Sequence, residues 1–339
     1  MTILIVIIGI SVLILVHELG HFLVAKKMGL LVEEFGFGFP PRLFSKKIGE
    51  TVYSFNALPF GGFVKIHGED LSAEESSVAV APERSFASQK IWRRTVIIAA
   101  GVLMNFLLGW LIMSAIFMIG TPKVLLVSEV LPDSPAEAVG LLPGDRVKGF
   151  ENASDFIDSV NKNRGREIAL DIERKGEALS FAVTPRADGE AALGVVLNEA
   201  GIDRKPVLVS LAAGLKASVG VVVAILVAFL NLIWGLLTQG QLLVDVVGPV
   251  GIFGVAAQAG ELGFLYVLQL IALISLNLAV LNAFPFPALD GGRLLFLIIE
   301  KIKGSPLPAQ LERGANMLGF ALILLLMIAI TVRDVAGLF

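Results

Sequence analysis

The stretch that decides the fold is Leu15-Val-His-Glu-Leu-Gly-His-Phe22, which lies inside an otherwise apolar run over 2–25. As a helix rising about 1.5 Å per residue, this run is long enough to cross a hydrocarbon core of about 30 Å. A cleaved signal peptide is the competing interpretation, and it requires a basic stretch before the apolar one. No lysine or arginine precedes His17. We therefore expect a retained membrane helix.

The composition indicates the same surroundings. Of the 339 residues, 55% are hydrophobic and 17% are charged, whereas globular domains carry about 25% charged residues. A soluble core of this size does not need so much apolar surface, so the lipid bilayer is the expected solvent. The absence of cysteine excludes disulfides, thiolate metal sites, iron–sulfur clusters and cysteine nucleophiles. With a net charge of -3 and no strongly basic face, nucleic acid is not an expected partner.

Further apolar runs at 95–119, 262–284 and 316–332 predict a polytopic α-helical membrane protein with about four core transmembrane helices. Lysine and arginine are concentrated around two loops, and such loops face the cytoplasm. The first set is Lys26, Lys27, Lys90, Arg93 and Arg94, and the second is Arg293, Lys301, Lys303 and Arg313. Both chain termini and the insert after residue 119 are then predicted to lie outside.

Residues 217–237 are as apolar as these spans. A single crossing there would place the basic flank of 262–284 on the wrong side, so the number of crossings between the insert and that span must be even. We favour a dipping or surface helix, and a hairpin with 245–259 is the alternative. Weak amphipathicity disfavours a purely interfacial position.

Residues 123–198 alternate short β-branched runs with turns, which predicts a soluble β-rich domain. Strands are predicted at 124–130, 146–150, 167–174 and 178–185, and a short helix at 152–163. The stretch Pro132-Asp-Ser-Pro-Ala-Glu-Ala-Val-Gly-Leu-Leu-Pro-Gly-Asp145 resembles the PDZ signature of bacterial envelope proteases. The resemblance implies a short helix at Ser-Pro-Ala, a turn at Gly-Asp, and binding of extended peptides or chain ends by strand addition.

The pattern His17-Glu-Leu-Gly-His21 has the H-E-x-x-H spacing of a helical metal site. Positions i and i+4 are about 400° apart in rotation, so both imidazoles lie on one face within reach of one ion. Glu18 lies about 100° round, where it can take a proton from water at the open position of the ion. A lone match also occurs by chance in soluble helices. In a lipid-spanning run these polar groups cost several kcal/mol unless they face a polar interior, so a functional site is expected.

Two histidines leave a zinc site one protein ligand short. His67 and a distant carboxylate are candidates, and Asp290 is preferred, at the end of Asn282-Ala-Phe-Pro-Phe-Pro-Ala-Leu-Asp290. Pro285 and Pro287 break the helix there, and the glycines that follow let the chain turn. On the predicted topology, the histidine pair and Asp290 lie toward the cytoplasmic ends of their spans. The structural alternative for Asp290 is an ordinary turn residue, and we expect His67 to be a solvated loop residue.

With these motifs the chain resembles bacterial site-2 proteases, which are intramembrane zinc metalloproteases of the type that cleaves anti-sigma factors. The pattern is that of regulator-of-sigma-E proteases, but with a single PDZ domain where some relatives have two. The order and membrane placement of the motifs match over nearly the whole chain. The segments that carry the resemblance are His17–His21, Phe35-Gly-Phe-Gly-Phe39, Leu58-Pro-Phe-Gly-Gly-Phe-Val-Lys65, Ala99-Ala-Gly-Val-Leu-Met-Asn-Phe106 and Asn282–Gly292.

The resemblance implies a role for each site residue. It implies that Zn²⁺ is bound by His17, His21 and Asp290, and that Glu18 is the catalytic base. It also implies a membrane-associated β-element over 35–64, in which 53–57 and 62–66 form a hairpin whose edge pairs with unwound substrate. A merely structural hairpin is the alternative. The residues implied to lie near the substrate are Asn277, Asn282, Pro285, Pro287, Gly62, Phe63 and Val64.

The predicted organisation has four parts. Residues 1–122 form the N-terminal membrane part, 123–198 the PDZ-like domain, 199–260 a linker with dipping or surface helices, and 261–339 the C-terminal membrane part. The predicted function is intramembrane zinc endopeptidase in the bacterial cytoplasmic (inner) membrane, with the active site toward the cytoplasm and the PDZ-like domain outside. Its implied partners are single-span membrane proteins already shortened by another protease, such as anti-sigma factors, or signal-peptide remnants.

Two other classes of function remain as alternatives at this point. A PDZ membrane adaptor with a structural metal site leaves Glu18 without a purpose, since it is not needed as a ligand. A metal transporter requires polar residues along a path through the membrane, and the other spans offer almost none.

Overall fold

The structure, a computed structural model, describes residues 2–69, 81–150, 152–174, 176–189, 191–239 and 248–336. The chain divides into two compact units. Unit 1 comprises Met1–Ser114 and Leu211–Phe339, and unit 2 comprises Ala115–Ser210.

The helices and strands follow in chain order. They are α1 (Thr2–Lys27), β1 (Val32–Ile48), β2 (Thr51–Ile66), α2 (Ile91–Ile119), β3 (Thr121–Val130), α3 (Pro135–Ala138), β4 (Arg146–Val147), α4 (Ala153–Lys162), β5 (Ile168–Arg174), β6 (Glu177–Val183), β7 (Val195–Ile202), α5 (Val207–Gln239), α6 (Pro249–Leu262), α7 (Phe264–Ala283), α8 (Asp290–Lys303) and α9 (Ala309–Ala336).

Among the described residues, five helices are long and apolar enough to cross a membrane. They lie in α1, α2, α5, α7 and α9, so a helix of this kind stands at each of the four predicted spans and a fifth lies in α5. Large apolar side chains remain exposed along these helices, for example Leu4 on α1, Leu230 on α5 and Leu325 on α9. Helices that are apolar on all faces are suited to lipid, which confirms a polytopic membrane protein.

A glycine inside the H-E-x-x-H motif lets α1 and α2 cross at close range. A Cβ at Gly20 would lie 2.5 Å from the carbonyl oxygen of Ala100 and 2.8 Å from Cγ of Met104. Contacts this short exclude any larger side chain unless the helices separate. The motif therefore contributes a glycine that allows close packing of α1 against α2, in addition to its polar side chains.

The β-element of unit 1 differs from its predicted pairing. β1 and β2 pair antiparallel, and Phe35 has Val64 as partner on one side and Tyr53 on the other. β1 therefore lies between 62–66 and 53–57, so the predicted hairpin between those two segments is wrong. The reason is that β1 is itself an extended aromatic-rich segment. It bends close to β2 at Gly38, where φ is 76° and a Cβ would lie 2.4 Å from the carbonyl oxygen of Leu58.

Residues 217–237, predicted as a dipping or surface helix, lie within one unbroken helix of 33 residues, α5. Near its start, Trp110 Nε1 donates to the carbonyl oxygen of Leu211 at 2.9 Å. Further along, the rings of Phe229 and Phe284 lie 4.6 Å apart. Residues 245–247 of the alternative hairpin 245–259 lie outside the described residues, and α6 covers most of its remainder.

Short contacts fix both ends of α6 in unit 1. At its beginning, the Asp334 carboxylate of α9 accepts a hydrogen bond from the Gly251 amide at 2.8 Å. At its other end, a Cβ at Gly260 would lie 2.3 Å from Oγ1 of Thr2, the first residue of α1. The two ends of α6 thus lie beside the last turn of α9 and the first turn of α1.

Unit 2 contains a five-stranded sheet in the order β6-β5-β4-β3-β7, with the short helices α3 and α4. Every predicted strand and the predicted helix of this region are present, with shifts of a few residues at their ends. The Ser134 hydroxyl caps α3 by accepting from the Glu137 amide at 3.1 Å, and Gly144 takes a φ of 94° in the turn before β4. The last strand, β7, ends at residue 202, so the predicted domain end at 198 falls inside it. That this unit is a PDZ domain stays a prediction.

Candidate metal centre

Three predicted ligands converge on one point in unit 1. The Oδ2 atom of Asp290 lies 2.9 Å from His17 Nε2 and 3.3 Å from His21 Nε2, and the two Nε2 atoms are 3.2 Å apart. Both imidazoles are buried. Among the described residues, this is the cluster of histidine and carboxylate groups whose ligand atoms are close enough to hold one metal ion.

The donor set fits zinc. Zinc–nitrogen and zinc–oxygen bonds of about 2.0–2.2 Å in a tetrahedron put neighbouring ligand atoms about 3.4 Å apart. The three separations here, 2.9, 3.2 and 3.3 Å, are close to that value. In addition, Asp290 Oδ2 is buried and has no donor in standard hydrogen-bond geometry. Buried polar atoms without such a donor are rare, and an ion shared with the imidazoles would account for this one.

The charge of Asp290 suits the same role. Burial raises the pKa of this carboxyl group, but the neighbouring His17 and His21 imidazoles outweigh that effect and hold the pKa below its usual range. The group is therefore a carboxylate at neutral pH, which is the form that binds a metal.

The imidazole of His21 is oriented by the backbone of α2. Its Nδ1 atom lies 2.9 Å from the carbonyl oxygen of Ile97. A hydrogen on Nδ1 that donates to this carbonyl leaves the Nε2 lone pair free for a metal. The rings of His17 and His21 are nearly perpendicular, with an interplanar angle of 82°, and the Nε2 atom of each lies beside Asp290 Oδ2.

A second glycine, which the sequence analysis did not select, brings α2 up to the histidines. A Cβ at Gly101 would lie 2.3 Å from His21 Nε2 and 2.8 Å from His17 Cε1. It lies in the segment 99–106 that carries part of the family resemblance. The sequence pattern included Gly101, but the need for a glycine at this position follows only from the contact between α2 and the histidines of α1.

The turn before Asp290 is held by α9. Ala288 adopts a positive φ of 73°, and its amide donates to Asn316 Oδ1 at 3.0 Å. One turn later, a Cβ at Gly319 would lie 2.5 Å from the carbonyl oxygen of Pro287. The helix α9 therefore sets the position of the loop that carries the carboxylate ligand, and no sequence signal identified Asn316 or Gly319.

Two cavities meet at Glu18. One of about 350 Å³ is lined by Glu18, His21, Asp290 and the β2 residues Phe63 to Ile66, among others. The other, of about 230 Å³, is lined by Glu18, His17, Asp290, Asn105 and Asn282, among others. The glutamate side chain thus has access to space on two sides of the ligand cluster.

The structure brings most of the predicted substrate residues to this place. Phe63 and Val64 line the larger cavity, and a Cβ at Gly62 would lie 3.8 Å from Cγ of Glu18. Asn282 lines the smaller cavity, with Nδ2 3.5 Å from both ring nitrogens of His17. Asn277 is exposed on α7 and lines neither cavity.

The remaining predicted residues lie around this centre. Pro285 and Pro287 belong to the loop between α7 and α8, with Pro287 against Gly319. His67 lies apart from the ligand cluster and pairs with Glu33 at 2.7 Å. The choice of Asp290 over His67 as the candidate ligand therefore agrees with the geometry.

An ion pair that the sequence analysis did not foresee lies at the larger cavity. Arg293, one turn after Asp290, pairs with Glu69, and both side chains line that cavity. Their separation of more than 200 positions in the sequence leaves no local pattern to find.

Comparison with known proteins gives consistent results. The sequence profile of peptidase family M50 matches residues 5–326. A protein of Clostridium perfringens named as a zinc metalloprotease is 34% identical over 330 residues, which cover 96% of each chain. The zinc metalloprotease RasP of Geobacillus kaustophilus is 30% identical over 410 residues, and the regulator of sigma-W protease RasP of Bacillus subtilis is 30% identical over 412 residues. These two alignments also cover 96% of each chain.

Proposed function

We propose that this chain, which belongs to peptidase family M50 and is a zinc metalloprotease of the site-2 type, cuts peptide bonds within the transmembrane segments of single-span membrane proteins. His17, His21 and Asp290 hold the zinc ion, and Glu18 is the general base. The observation that carries the assignment is the convergence of three ligand atoms within 3.3 Å in a buried cluster beside an accessible glutamate.

The chemistry of the chain's own residues follows from their placement. Zinc, when bound, supplies a Lewis acid that lowers the pKa of water and polarises the scissile carbonyl. Glu18, with cavity space on two sides of the ligand cluster, takes the proton from the attacking water. It then returns that proton to the leaving amine. Asn282, at the smaller cavity, hydrogen-bonds the backbone of the substrate.

A substrate helix must unwind before cleavage, since its peptide bonds are shielded by their own hydrogen bonds. The β2 segment 62–66 has β1 as partner on one side, and its residues Phe63 to Ile66 line the larger cavity. An unwound substrate that adds a strand at this edge gains main-chain hydrogen bonds for those it has lost. Gly62, Phe63 and Val64 form the part of this edge next to Glu18.

Unit 2 acts as a PDZ-like domain that selects or excludes substrates by their extracytoplasmic length. Its sheet and the turn at Gly144 support this assignment. We place the chain in the bacterial cytoplasmic (inner) membrane, with unit 2 and both termini outside and the metal centre toward the cytoplasm. Membrane proteins already shortened by another protease, such as anti-sigma factors, and signal-peptide remnants are the proposed substrates.

The test uses the purified protein, a single-span model substrate and the variant Glu18→Gln. We expect Glu18→Gln to keep one zinc ion per chain and to lower the cleavage rate about 10²–10⁴-fold, the usual contribution of a general base. Glu261→Gln, which changes an exposed glutamate at the end of α6, is the matched control and is expected to cut at the wild-type rate.

Other outcomes distinguish the rival functions. Cleavage by Glu18→Gln at the wild-type rate contradicts the proposed base. Zinc binding by both proteins without any cleavage favours a membrane adaptor with a structural metal. Uptake of zinc into sealed proteoliposomes, without proteolysis, favours a transporter.

A further inference from the structure

Asn105 is a buried amide that the proposed chemistry does not use. It lies in α2, one turn after Gly101, and is 0% exposed. Its Oδ1 atom is buried and has no hydrogen-bond partner. Leaving such an acceptor unpaired costs about 1–3 kcal/mol, so the position of this side chain needs an explanation.

His17 has the complementary need. If Nε2 binds the metal beside Asp290, the neutral ring carries its hydrogen on Nδ1. Metal-binding histidines almost always donate this hydrogen to a carbonyl or carboxylate oxygen. For His21 the acceptor is Ile97, whereas the atom 3.4 Å from His17 Nδ1 is Nδ2 of Asn105, which is also a donor.

The two amide atoms of asparagine have nearly the same shape, and their assignment is decided by the hydrogen bonds around them. We infer that the Asn105 amide is turned by 180°, so that its Oδ1 atom accepts the hydrogen of His17 Nδ1. This rotation pairs the oxygen with the hydrogen of His17 Nδ1, and it moves the Nδ2 group to the position where Oδ1 has no donor. Asn105 is then a positioning residue that sets the tautomer and the ring angle of a zinc ligand.

Asn282 is less suited to this role, although its amide is also close. Its Nδ2 atom is 3.5 Å from both ring nitrogens of His17. An atom equally distant from both nitrogens does not lie along the N–H direction of either one. It is also partly exposed at the smaller cavity, where substrate is proposed to bind.

The backbone around Asn105 is held in place. Its carbonyl oxygen accepts a hydrogen bond from Ser275 Oγ of α7 at 2.8 Å, and both residues are fully buried. Gly101, on the same face of α2, lets this helix reach the histidines. The spacing of glycine and asparagine at i and i+4 thus gives the segment 99–106 a physical purpose.

The inference rests on the proposed zinc site, and the test separates the two. Zinc dissociation constants are measured by chelator competition on the purified full chain in detergent, for the wild type and for His17→Ala, Asn105→Leu, Asn105→Asp and Ser114→Ala. His17→Ala tests the site itself, since zinc binding that is unchanged in this variant overturns the ligand assignment.

We expect Asn105→Leu to weaken zinc binding about 10–100-fold, as is usual when a metal-binding histidine loses the acceptor of its ring N–H. Asn105→Asp, which keeps an accepting oxygen, is expected to stay within about threefold of the wild type.

Ser114→Ala is the control for loss of a buried polar group in α2. It removes a hydroxyl that donates to the Trp110 carbonyl oxygen, and it is expected to bind zinc normally. If Asn105→Leu binds zinc as tightly as the wild type, or if Asn105→Asp binds zinc as weakly as Asn105→Leu, the positioning role is overturned.

A measurement on the wild type alone guards against variants that fail to fold. With three histidines in the chain, ¹⁵N-histidine labelling of the zinc-loaded protein is expected to show a slowly exchanging Nδ1–H on His17. A rapidly exchanging proton there contradicts the hydrogen bond.

Discussion

Gly101 determines how closely α2 approaches the two histidines of α1. A Cβ at this position would lie 2.3 Å from the ligand atom of His21. Carbon and nitrogen atoms that are not bonded do not approach so closely, so a methyl group here must displace the imidazole or the helix.

We expect Gly101→Ala to weaken zinc binding and to lower cleavage by about 10–100-fold, because a shift of about 1 Å at a catalytic group has effects of this size. The measurement is zinc affinity together with the cleavage rate of a single-span substrate. Gly254→Ala is the control, since a Cβ at Gly254 in α6 would meet nothing within 4 Å. Normal zinc affinity in Gly101→Ala contradicts the close approach.

The proposed ligands and base that the sequence pattern identified share one property: their polar side chains are costly to place in a membrane. Two histidines and a glutamate in an apolar run, and an aspartate after a helix broken by prolines, stand out without any structure. Gly101 and Asn105 do not stand out, because glycine is frequent in membrane helices and an asparagine amide carries no charge. Their importance arises only from what lies opposite them on α1, which no local pattern records.

At the scale of elements, α9 acts as a support for the loop between α7 and α8. The Asn316 side chain and Gly319 face Ala288 and Pro287 of this loop, just before Asp290. The carboxylate ligand thus depends on a helix that contributes none of the proposed ligands.

We expect Gly319→Ala to lower zinc affinity and cleavage about tenfold or more, since a Cβ would lie 2.5 Å from the Pro287 carbonyl oxygen and overpacking costs about 1–3 kcal/mol. Gly314→Ala on the same helix is the matched control, because a Cβ there would meet nothing within 4 Å. Equal behaviour of the two variants in zinc titration and cleavage shows that α9 does not support the loop.

The β-element shows why strand partners are harder to predict than strands. Both 53–57 and 62–66 are extended, as predicted, but β1 lies between them. Alternating aromatic and small residues predict an extended chain, whereas the choice of partner depends on where the chain bends. Here the bend is at Gly38, whose positive φ allows β1 to pass close to β2.

At the scale of the whole molecule, unit 2 has its own means of stability. The Asp145 carboxylate is 1% exposed and accepts two hydrogen bonds of 2.7 Å from Arg174, and a third of 2.8 Å from the Leu142 amide. The pair connects the turn before β4 to the end of β5.

We expect Asp145→Ala to lower the free energy of unfolding of unit 2 by about 1–3 kcal/mol, because it removes a buried carboxylate that accepts three hydrogen bonds. Hydrogen exchange in β3 and β5 of the full chain is expected to accelerate, while zinc binding in unit 1 stays normal. Asp171→Ala, at an exposed position of β5, serves as the control. Unchanged exchange in unit 2 would contradict the stabilising role of the ion pair. A parallel loss of zinc binding would show that the two units are not independent in stability.

The contacts of α5 bear on the topology of the whole chain. On the proposed orientation, Trp110 lies in the outer half of α2 and Phe284 at the cytoplasmic end of α7. The helix α5 contacts the first near Leu211 and the second through Phe229. Exposed apolar side chains such as Leu208 and Trp234 lie along α5, whose sequence is apolar over most of its length, and this disfavours a position on the membrane surface.

We therefore expect α5 to cross the membrane and to end on the cytoplasmic side, unlike the dipping or surface helix favoured by parity. On the same orientation, the two ends of α6 lie beside the outer ends of α1 and α9, so we expect α6 to lie on the outer side.

The native chain has no cysteine, so single cysteines report sidedness without background. With a membrane-impermeant maleimide on intact cells, we expect Lys162→Cys in unit 2 to be labelled. Lys301→Cys in α8 and Thr238→Cys at the end of α5 are expected to react only after the membrane is opened. Labelling of Thr238→Cys in intact cells, with Lys301→Cys still protected, would show instead that α5 stays on the outer side, because its end would then share the side of unit 2.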